Sequence, residues 1–439
     1  MPKNFSLKTI HRAWSMYDWA NSAYNLVITA TIFPIYYLAI TGDSDDSTLD
    51  YVSFFGWKVI NTALLNYALA FAYLVIVILS PILSSIADYK GNKKRFMQLF
   101  CYIGSGACAC MFFFYPTHLE LGIILAILAA IGFCGSLVFY NAFLPEIAEV
   151  GYRDKLSAQG YAYGYVGSVI LQLICFAFVM TMTDKSLASR ISFLLVGLWW
   201  FGFAQIAFHV LPLGTAVTSD KTHSFLFNGF RELKKVWHQV KAMPFLKSYL
   251  LAFFFYSMGV QTVMLASAEF VSKEIKKEVN GVWVNMETQD LIITILLIQL
   301  VAIFGAMLMA RLSKRIGNIK VLMLTVVIWI GICIASYFIT TAMHFYLVAI
   351  LIGLVMGGIQ SMSRSTYSKI MPPTHDTASF FSFYDVTEKL AIVIGMFSFG
   401  FIEHMTGNMR NSIFALTGFF ILGLIFLIVT NNKGKMAID

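Results

Sequence analysis

Charged side chains are scarce in this chain of 439 residues, and the scarcity excludes most soluble folds. Asp, Glu, Lys and Arg together make up 12% of the sequence, whereas about 25% is usual in a soluble domain. Hydrophobic residues reach 59% and the mean hydropathy is +0.74. Apolar runs of about 20 residues, which are long enough to cross a hydrocarbon core, follow one another along nearly the whole chain. The composition therefore predicts a multi-pass integral membrane protein, and the succession of apolar runs leaves no room for a sizeable soluble domain.

Recognisable catalytic and metal-binding motifs are also lacking. The sequence has no P-loop, no zinc-ligand spacing and no HExxH-type motif, and its intramembrane polar residues form no catalytic triad. All six cysteines fall inside apolar runs, which is typical of small membrane-embedded residues rather than of disulfide or metal partners. We therefore expect no enzyme activity, no metal and no cofactor. The absence of a soluble signalling domain argues against a non-transporting sensor.

Twelve apolar segments are long enough to be membrane spans. They lie at about residues 14–41, 58–87, 96–115, 119–142, 157–182, 190–212, 246–270, 289–312, 320–341, 345–367, 380–403 and 410–430. With the N-terminus inside, 23 of the 31 Lys and Arg residues fall in inner segments, seven in outer loops and one in span 11. Because basic residues collect in cytoplasmic loops, we expect both termini to be cytoplasmic. The net charge of +8 then reflects topology rather than nucleic-acid binding. The first span lacks a small-residue cleavage site and is expected to be retained.

The longest inner connection divides the spans six and six. The predicted organisation is an N-terminal six-helix half at 1–212, a cytoplasmic linker at 213–245 and a C-terminal six-helix half at 246–439. Residues 225–243 of the linker combine a basic face with apolar residues, which fits either an interfacial amphipathic helix or an ordinary linker helix. A repeat supports the division, because Gly91-Asn92 after span 2 matches Gly317-Asn318 after span 8. Two related halves joined in this way resemble the all-α fold of major facilitator transporters.

The segment DYKGNKK (88–94) resembles the major facilitator loop signature D-R/K-x-G-x-R/K-R/K. That resemblance implies that Asp88 is a conformational switch residue, supported by basic neighbours such as Arg95. Physically, Asp88 can pair with a local basic residue or meet the positive end of a neighbouring helix. The alternative is a solvated turn held by Gly91 and Asn92. The second copy has Lys314 at the acid position, so this gating acid is expected in one half only.

Four further stretches narrow the resemblance. They are YDWANSAY (17–24), FYNAFLPEIA (139–148), SAQGYAYGYVG (157–167) and SRSTYSKIMPP followed by FFSFY (363–373 and 380–384). Together they resemble the family of the vacuolar amino-acid effluxer of autophagy and its bacterial relatives. One position departs from that family, because Met258 stands where its Y-x-D-G-V-Q-T stretch has an aspartate. Met258 cannot titrate, so a coupling role of that aspartate is lost or moved in this chain.

The resemblance implies a secondary transporter that works by alternating access and has no enzymatic role. It implies export of amino acids or similar small polar metabolites, with protons as a candidate coupling ion. The implied partners are a small-molecule substrate and the lipid bilayer, the implied location is a bacterial plasma membrane, and the implied state is a monomer. The alternative substrates are lysophospholipids or lipophilic compounds. Substrate is expected near the membrane midplane between the two halves.

Span 1 carries the first group of candidate residues. Asp18, Asn21, Ser22 and Asn25 follow the spacing i, i+3, i+4 and i+7, which places them on one face of an α-helix. Polar residues within a span normally face the bundle interior or a water-filled cavity. We therefore expect Asn21, Ser22 and Asn25 to bind substrate and Asp18 to act in gating. For Asp18 an alternative stays open, because Ser15 and Asp18 also form a capping-box pattern that would start a helix.

Spans 5 and 10 supply the remaining substrate-binding candidates. Tyr161 and Gln172 share a polar stripe in span 5 and can hydrogen-bond a substrate, or serve packing and an interfacial aromatic belt. Gln360 and Arg364 lie near the inner end of span 10. Arg364 can grip a carboxylate, or extend towards the inner membrane surface.

Spans 4 and 11 supply candidates for gating and coupling. Asn141 and Glu146 flank the inner end of span 4, where a gate or loop contact is expected. In span 11, Asp385 and Lys389 form an i, i+4 pair, which leaves Glu388 as an unpaired acid suited to proton coupling. The alternative is that all three pair with one another near the cytoplasmic end.

Overall fold

A computed structural model describes residues 5–42, 50–213, 225–279, 281–286 and 288–436. In chain order the α-helices are α1 (Leu7–Ala23), α2 (Ile32–Thr41), α3 (Asn61–Lys90), α4 (Lys93–Cys110), α5 (Leu119–Ala142), α6 (Leu144–Ile147), α7 (Arg153–Thr181), α8 (Lys185–Val210), α9 (Phe225–Ala242), α10 (Pro244–Glu274), α11 (Thr288–Ile316), α12 (Asn318–Phe338), α13 (Ala342–Ile370), α14 (Thr377–Thr406) and α15 (Ser412–Met436). The predicted all-α membrane fold is confirmed.

Two small antiparallel hairpins accompany the helices. The first pairs β1 (Tyr51–Phe54) with β2 (Trp57–Ile60), and the second pairs β3 (Lys276–Val279) with β4 (Val282–Asn285). Gly56 and Gly281 have positive φ values of 82° and 80°, which suit the tight turns between these strands. Neither hairpin was predicted, because four-residue strands are too short to produce a clear alternating pattern in the sequence.

Eleven helical segments of the described residues are long and apolar enough to cross a membrane. They account for eleven of the twelve predicted spans. The twelfth, predicted at 380–403, lies within the 30-residue helix α14. The predicted linker helix corresponds to α9, while residues 214–224 of the linker lie outside the described residues. The orientation of the termini and the interfacial position of α9 stay predictions.

The described residues cluster into two compact units. Unit 1 comprises the described parts of Met1–Phe143, Val166–Glu232 and His375–Ser382, and unit 2 those of Leu144–Tyr165, Leu233–Thr374 and Phe383–Asp439. Each unit therefore combines separate stretches of the chain, and α7 and α14 each contribute to both. The predicted division into halves at residues 212 and 246 stays a prediction.

Small residues allow the helices within each unit to pack backbone against backbone. In unit 1, a Cβ added to Gly132 of α5 would lie 2.4 Å from the Cα of Gly104 in α4. In unit 2, a Cβ added to Gly357 of α13 would lie 2.1 Å from the carbonyl oxygen of Ala302 in α11. Such separations leave no room for a methyl group, so these glycines determine how closely the helices approach, as is common in membrane bundles.

Span 1 is not a continuous α-helix. After α1 ends at Ala23, a π-helix occupies Tyr24–Thr31 and α2 follows from Ile32. A π-helix forms i→i+5 hydrogen bonds, so its side chains no longer repeat every 3.6 residues. The spacing that placed Asn25 on one face with Asn21 and Ser22 therefore does not hold beyond Ala23.

Candidate functional site

The segment around Asp88 forms a buried ion pair at the start of α14, within unit 1. Asp88 is 3% exposed, and its carboxylate lies 3.1 Å from the Nζ of Lys93. The backbone N–H groups of Ala378 and Ser379 donate to it over 3.1 and 2.8 Å, and the Ser379 hydroxyl donates over 2.8 Å. Both interactions considered for this acid are present, namely a local basic partner and the positive end of a helix. The solvated-turn alternative is wrong because the carboxylate is buried. The gating role stays a prediction, and Arg95 is exposed.

Asp18 lies inside a helix rather than at its start. The N-cap of α1 is Ser6, whose hydroxyl accepts a hydrogen bond from the backbone N–H of Thr9 over 3.3 Å. The alternative in which Ser15 and Asp18 cap a helix is therefore wrong. Asp18 is 5% exposed, and the Tyr140 hydroxyl donates to its Oδ2 over 2.7 Å.

Asn21 in span 1 and Gln172 in span 5 are buried amide side chains that each have a nitrogen without a hydrogen-bond partner among the described residues. Ser22 donates weakly to Asn21 Oδ1 over 3.4 Å, and Thr31 donates to Gln172 Oε1 over 2.8 Å. The Nδ2 of Asn21 and the Nε2 of Gln172 have no hydrogen-bond partner among the described residues, although both residues are buried. Asn25 is half-buried in the π-helix. The substrate-binding role of these residues stays a prediction.

The gating candidates of span 4 lie at its end. α5 ends at Ala142, one residue after the half-buried Asn141, and the short helix α6 follows with Pro145 in it. Glu146 is exposed, which fits the expected loop or gate contact rather than a site deep in the bundle.

Unit 2 contains a cavity lined by polar and aromatic side chains. Its empty volume is about 280 Å³, including space open to solvent. The residues that line it are Tyr161, Phe253, Tyr256, Ser257, Val260, Gln261, Ile359, Gln360, Ser363, Tyr384 and Glu388. Three predicted site residues, Tyr161, Gln360 and Glu388, therefore line the same cavity of unit 2. A metal site is not indicated, since no cluster of three or more His, Cys, Asp and Glu suited to an ion occurs among the described residues.

Gln261, which lies three residues after Met258 in α10, was not among the predicted site residues. Met258 is 3% exposed and does not line the cavity; a Cβ at Gly395 of α14 would lie 2.8 Å from its carbonyl oxygen. Gln261 does line the cavity, and its Nε2 donates to Glu388 Oε1 over 2.8 Å. A polar residue in an otherwise apolar span is itself a signal of function, and this signal could have identified Gln261.

Arg364 is buried against α7 and does not line the cavity. Its Nε donates to the Ser157 hydroxyl and its Nη2 to the Ser157 carbonyl oxygen, each over 2.9 Å. Its guanidinium carbon also lies 4.2 Å from the centre of the Tyr161 ring. With 2% of its surface exposed, Arg364 does not extend to the membrane surface, so that alternative is wrong. Nearby, the Tyr165 hydroxyl donates to Gln360 Oε1 over 2.6 Å.

The three charged residues of α14 form one cluster. Lys389 Nζ lies 3.3 Å from Asp385 Oδ1, which confirms the expected i, i+4 pair. The same Nζ lies 3.2 Å from Glu388 Oε2. Of the two alternatives, the pairing of all three residues is the one observed: Lys389 bridges both acids, and Gln261 donates to the other Glu388 oxygen, so Glu388 is not unpaired. With two acids and one base, this cluster keeps one net negative charge.

A second cluster, also missed from the sequence, connects α7 to the end of α11 and the start of α12 in unit 2. Asp154, in the first turn of α7, is 3% exposed. Its carboxylate accepts hydrogen bonds from Ser313 over 2.9 Å and from Asn318 over 2.8 Å. Lys369 Nζ lies 2.5 Å from the same carboxylate. Asn318 belongs to the repeated Gly-Asn pair, so both copies of this pair neighbour a buried aspartate.

Comparison with known proteins assigns the family. A family model described as "Vacuole effluxer Atg22 like" matches residues 7–438. The chain belongs to the Atg22-like family. It is 30% identical to an uncharacterised MFS-type transporter, YxiO, of Bacillus subtilis, over 97% of this chain and 95% of the relative. It is also 22% identical to autophagy-related protein 22-1 of Penicillium rubens, over 88% of this chain and 78% of the relative.

Solved structures agree on the fold of this Atg22-like chain. The Escherichia coli fucose:proton symporter FucP superposes with a TM-score of 0.67 at 15% identity, covering 97% of this chain and 98% of the symporter. A bacterial homologue of the iron transporter ferroportin gives a TM-score of 0.66 at 10% identity. The resemblance proposed from the sequence is confirmed: this is a major facilitator superfamily transporter and a multi-pass integral membrane protein.

Proposed function

We propose that this protein is a secondary active transporter that exports small polar metabolites, with amino acids as the leading class. The observation that carries the proposal is the cavity of unit 2, in which Gln261, Gln360 and Glu388 present polar groups within an otherwise apolar bundle. Polar groups within membrane-spanning helices are costly and usually face a cavity or a transport path. The description of the matching family as a vacuole effluxer supports the direction of transport.

Alternating access by rigid-body movement of two halves is the usual mechanism of this fold. We place the protein as a monomer in a bacterial plasma membrane, with both termini cytoplasmic and protons as a candidate coupling ion.

Counterflow in proteoliposomes tests this function. The purified full chain is reconstituted, the vesicles are loaded with an unlabelled amino acid, and uptake of the labelled compound is followed for a panel of amino acids. We expect uptake above that of protein-free vesicles for at least one member, and a dependence on an imposed pH gradient if protons are coupled. No movement of any panel member, or movement of lysophospholipid instead, would overturn the proposal.

A matched pair of variants connects the activity to the cavity. Gln261→Ala removes a lining residue and a donor to Glu388, so we expect counterflow to fall about tenfold. Gln205→Ala removes a glutamine of α8 whose Nε2 donates to the Phe201 carbonyl oxygen in the same helix, and it should leave counterflow unchanged. Equal effects of the two substitutions would count against the cavity as the transport site.

A further inference from the structure

The lining of the unit 2 cavity contains one carboxyl group. Among the residues that line it, Glu388 alone is acidic or basic, and a quarter of its side chain is exposed. Lys389 neutralises one of the two acids next to it, Asp385 and Glu388, and leaves the cluster with one net negative charge. Each carboxylate oxygen has two lone pairs, so Glu388 can accept from a ligand while it keeps its bonds to Gln261 and Lys389.

Aromatic rings surround this acid. Tyr161, Phe253, Tyr256 and Tyr384 line the same cavity, and the rings of Phe253 and Tyr384 stack with their centres 4.1 Å apart. The face of an aromatic ring attracts a cation, most strongly where water is excluded. The Phe253–Tyr384 stack, the stacking of Tyr367 on Tyr384 and the position of Arg364 over Tyr161 already occupy faces of these rings, so the group of the cavity that is suited to an ammonium ion is the Glu388 carboxylate.

The cation that would bind a substrate carboxylate is directed elsewhere. Arg364 donates two of its N–H groups to Ser157, and its guanidinium lies over the Tyr161 ring. Tyr161 lines the cavity, whereas Arg364 does not. Lys389 is 5% exposed and, like Arg364, is absent from the lining. Bidentate recognition of a carboxylate needs a guanidinium that faces the ligand, and this wall presents none.

We propose that the cavity of unit 2 recognises the protonated amine of its substrate through the Glu388 carboxylate and makes no specific contact with a substrate carboxylate. This inference rests on the proposed function and narrows its substrate class to compounds with an ammonium group. Simple amines without a carboxylate are then ligands, and carboxylic acids without an amine are not.

Two series of matched compounds test the proposal on the wild-type protein. One series is leucine, 3-methylbutylamine and 4-methylpentanoate, and the other is phenylalanine, 2-phenylethylamine and 3-phenylpropanoate. Each compound is assayed for thermal stabilisation of the detergent-purified full chain and for inhibition of counterflow. We expect both amines to act within about tenfold of the parent amino acids, and both acids to be at least about tenfold weaker.

Two variants on the same helix identify the acid. Glu388→Gln keeps the size of the side chain, removes its charge and replaces one of its two acceptor oxygens by a donor, so amine affinity should fall about tenfold or more. Glu403→Gln removes the charge of an acid outside the cavity that pairs with the half-exposed Lys273, and it should leave amine affinity unchanged. Unaltered melting of both variants without ligand would exclude misfolding as the cause.

The outcomes separate the two proposals. Acids that bind or move as well as amines would overturn the amine inference while the transport function stands. Wild-type affinity of Glu388→Gln for amines would also overturn it. If no amino acid of the panel moves and no amine binds, the proposed function and the inference both fail.

Discussion

Removal of Asp88 should destabilise the protein more than removal of its partner Lys93. Asp88→Ala deprives two first-turn N–H groups of α14 and the Ser379 hydroxyl of their acceptor. It also leaves Lys93 buried near the positive end of that helix, with the Thr377 hydroxyl and the His375 carbonyl oxygen as neutral acceptors. Lys93→Met removes one charge but leaves the Asp88 carboxylate with three donors.

The magnitudes follow from the burial of the pair, whose side chains are 3% and 5% exposed. Breaking a buried ion pair by removing one partner costs about 3–5 kcal/mol, and this range applies to Asp88→Ala. We expect Lys93→Met to cost about 1–3 kcal/mol, because the remaining carboxylate keeps its charge-assisted hydrogen bonds. The double variant should cost less than the sum of the single variants, since neither charge is then left alone.

The free energy of unfolding in mixed micelles, measured by titration with a denaturing detergent, checks this order. Arg95→Ala is the control, because it removes an exposed charge from the same segment and should change stability by less than about 0.5 kcal/mol. The prediction is contradicted if Lys93→Met lowers the free energy of unfolding as much as Asp88→Ala does. It is also contradicted if Asp88→Ala and Arg95→Ala have the same free energy of unfolding.

Two further predictions use the same measurement. Gly357→Ala should destabilise unit 2 by about 1–3 kcal/mol, because the new Cβ would lie 2.1 Å from the Ala302 carbonyl oxygen. Gly331→Ala is the control: no heavy atom outside the neighbouring backbone of its own helix lies within 4 Å of the added Cβ, so this substitution should raise the free energy of unfolding by about 0.4–1 kcal/mol. If both glycine substitutions changed the free energy of unfolding in the same direction, the packing argument would be refuted. Tyr140→Phe removes the donor 2.7 Å from Asp18 and should cost about 1.5–3 kcal/mol, whereas an unchanged free energy would mean that this hydrogen bond contributes nothing.

Features that depend on local spacing or hydropathy were predictable from the sequence. The spans follow from apolar runs of bilayer length, and the pair of Asp385 with Lys389 follows from i, i+4 spacing on a helix. The helix-end contact of Asp88 was one of two physical options for an acid in a basic segment, and both occur. These predictions need only the neighbouring residues and the general properties of helices.

Features that depend on distant partners were not predictable. The orientation of Arg364 is determined by Ser157, which is 207 residues away in the chain, so spacing within span 10 could not indicate that it turns away from the cavity. The sequence left open whether Glu388 is unpaired or pairs with Asp385 and Lys389, because helical spacing alone does not determine which acids one ammonium group contacts. The π-helix after Ala23 was missed because hydropathy does not reveal a change from i→i+4 to i→i+5 bonding.

The repeated loops show how one physical requirement is met by residues at different positions. A helix N-terminus favours a nearby carboxylate, whichever part of the chain supplies it. In unit 1 the loop supplies Asp88, and the first turn of α14 supplies the donors. In unit 2 the distribution is reversed: the first turn of α7 contains Asp154, and Ser313 and Asn318 at the loop donate to it. In the second copy of the loop, Lys314 stands where the first copy has Asp88. The carboxylate is supplied instead by Asp154, on the helix that this loop contacts. Because Asp154 is 159 residues from Ser313 in the chain, comparison of the two loop sequences alone could not reveal it.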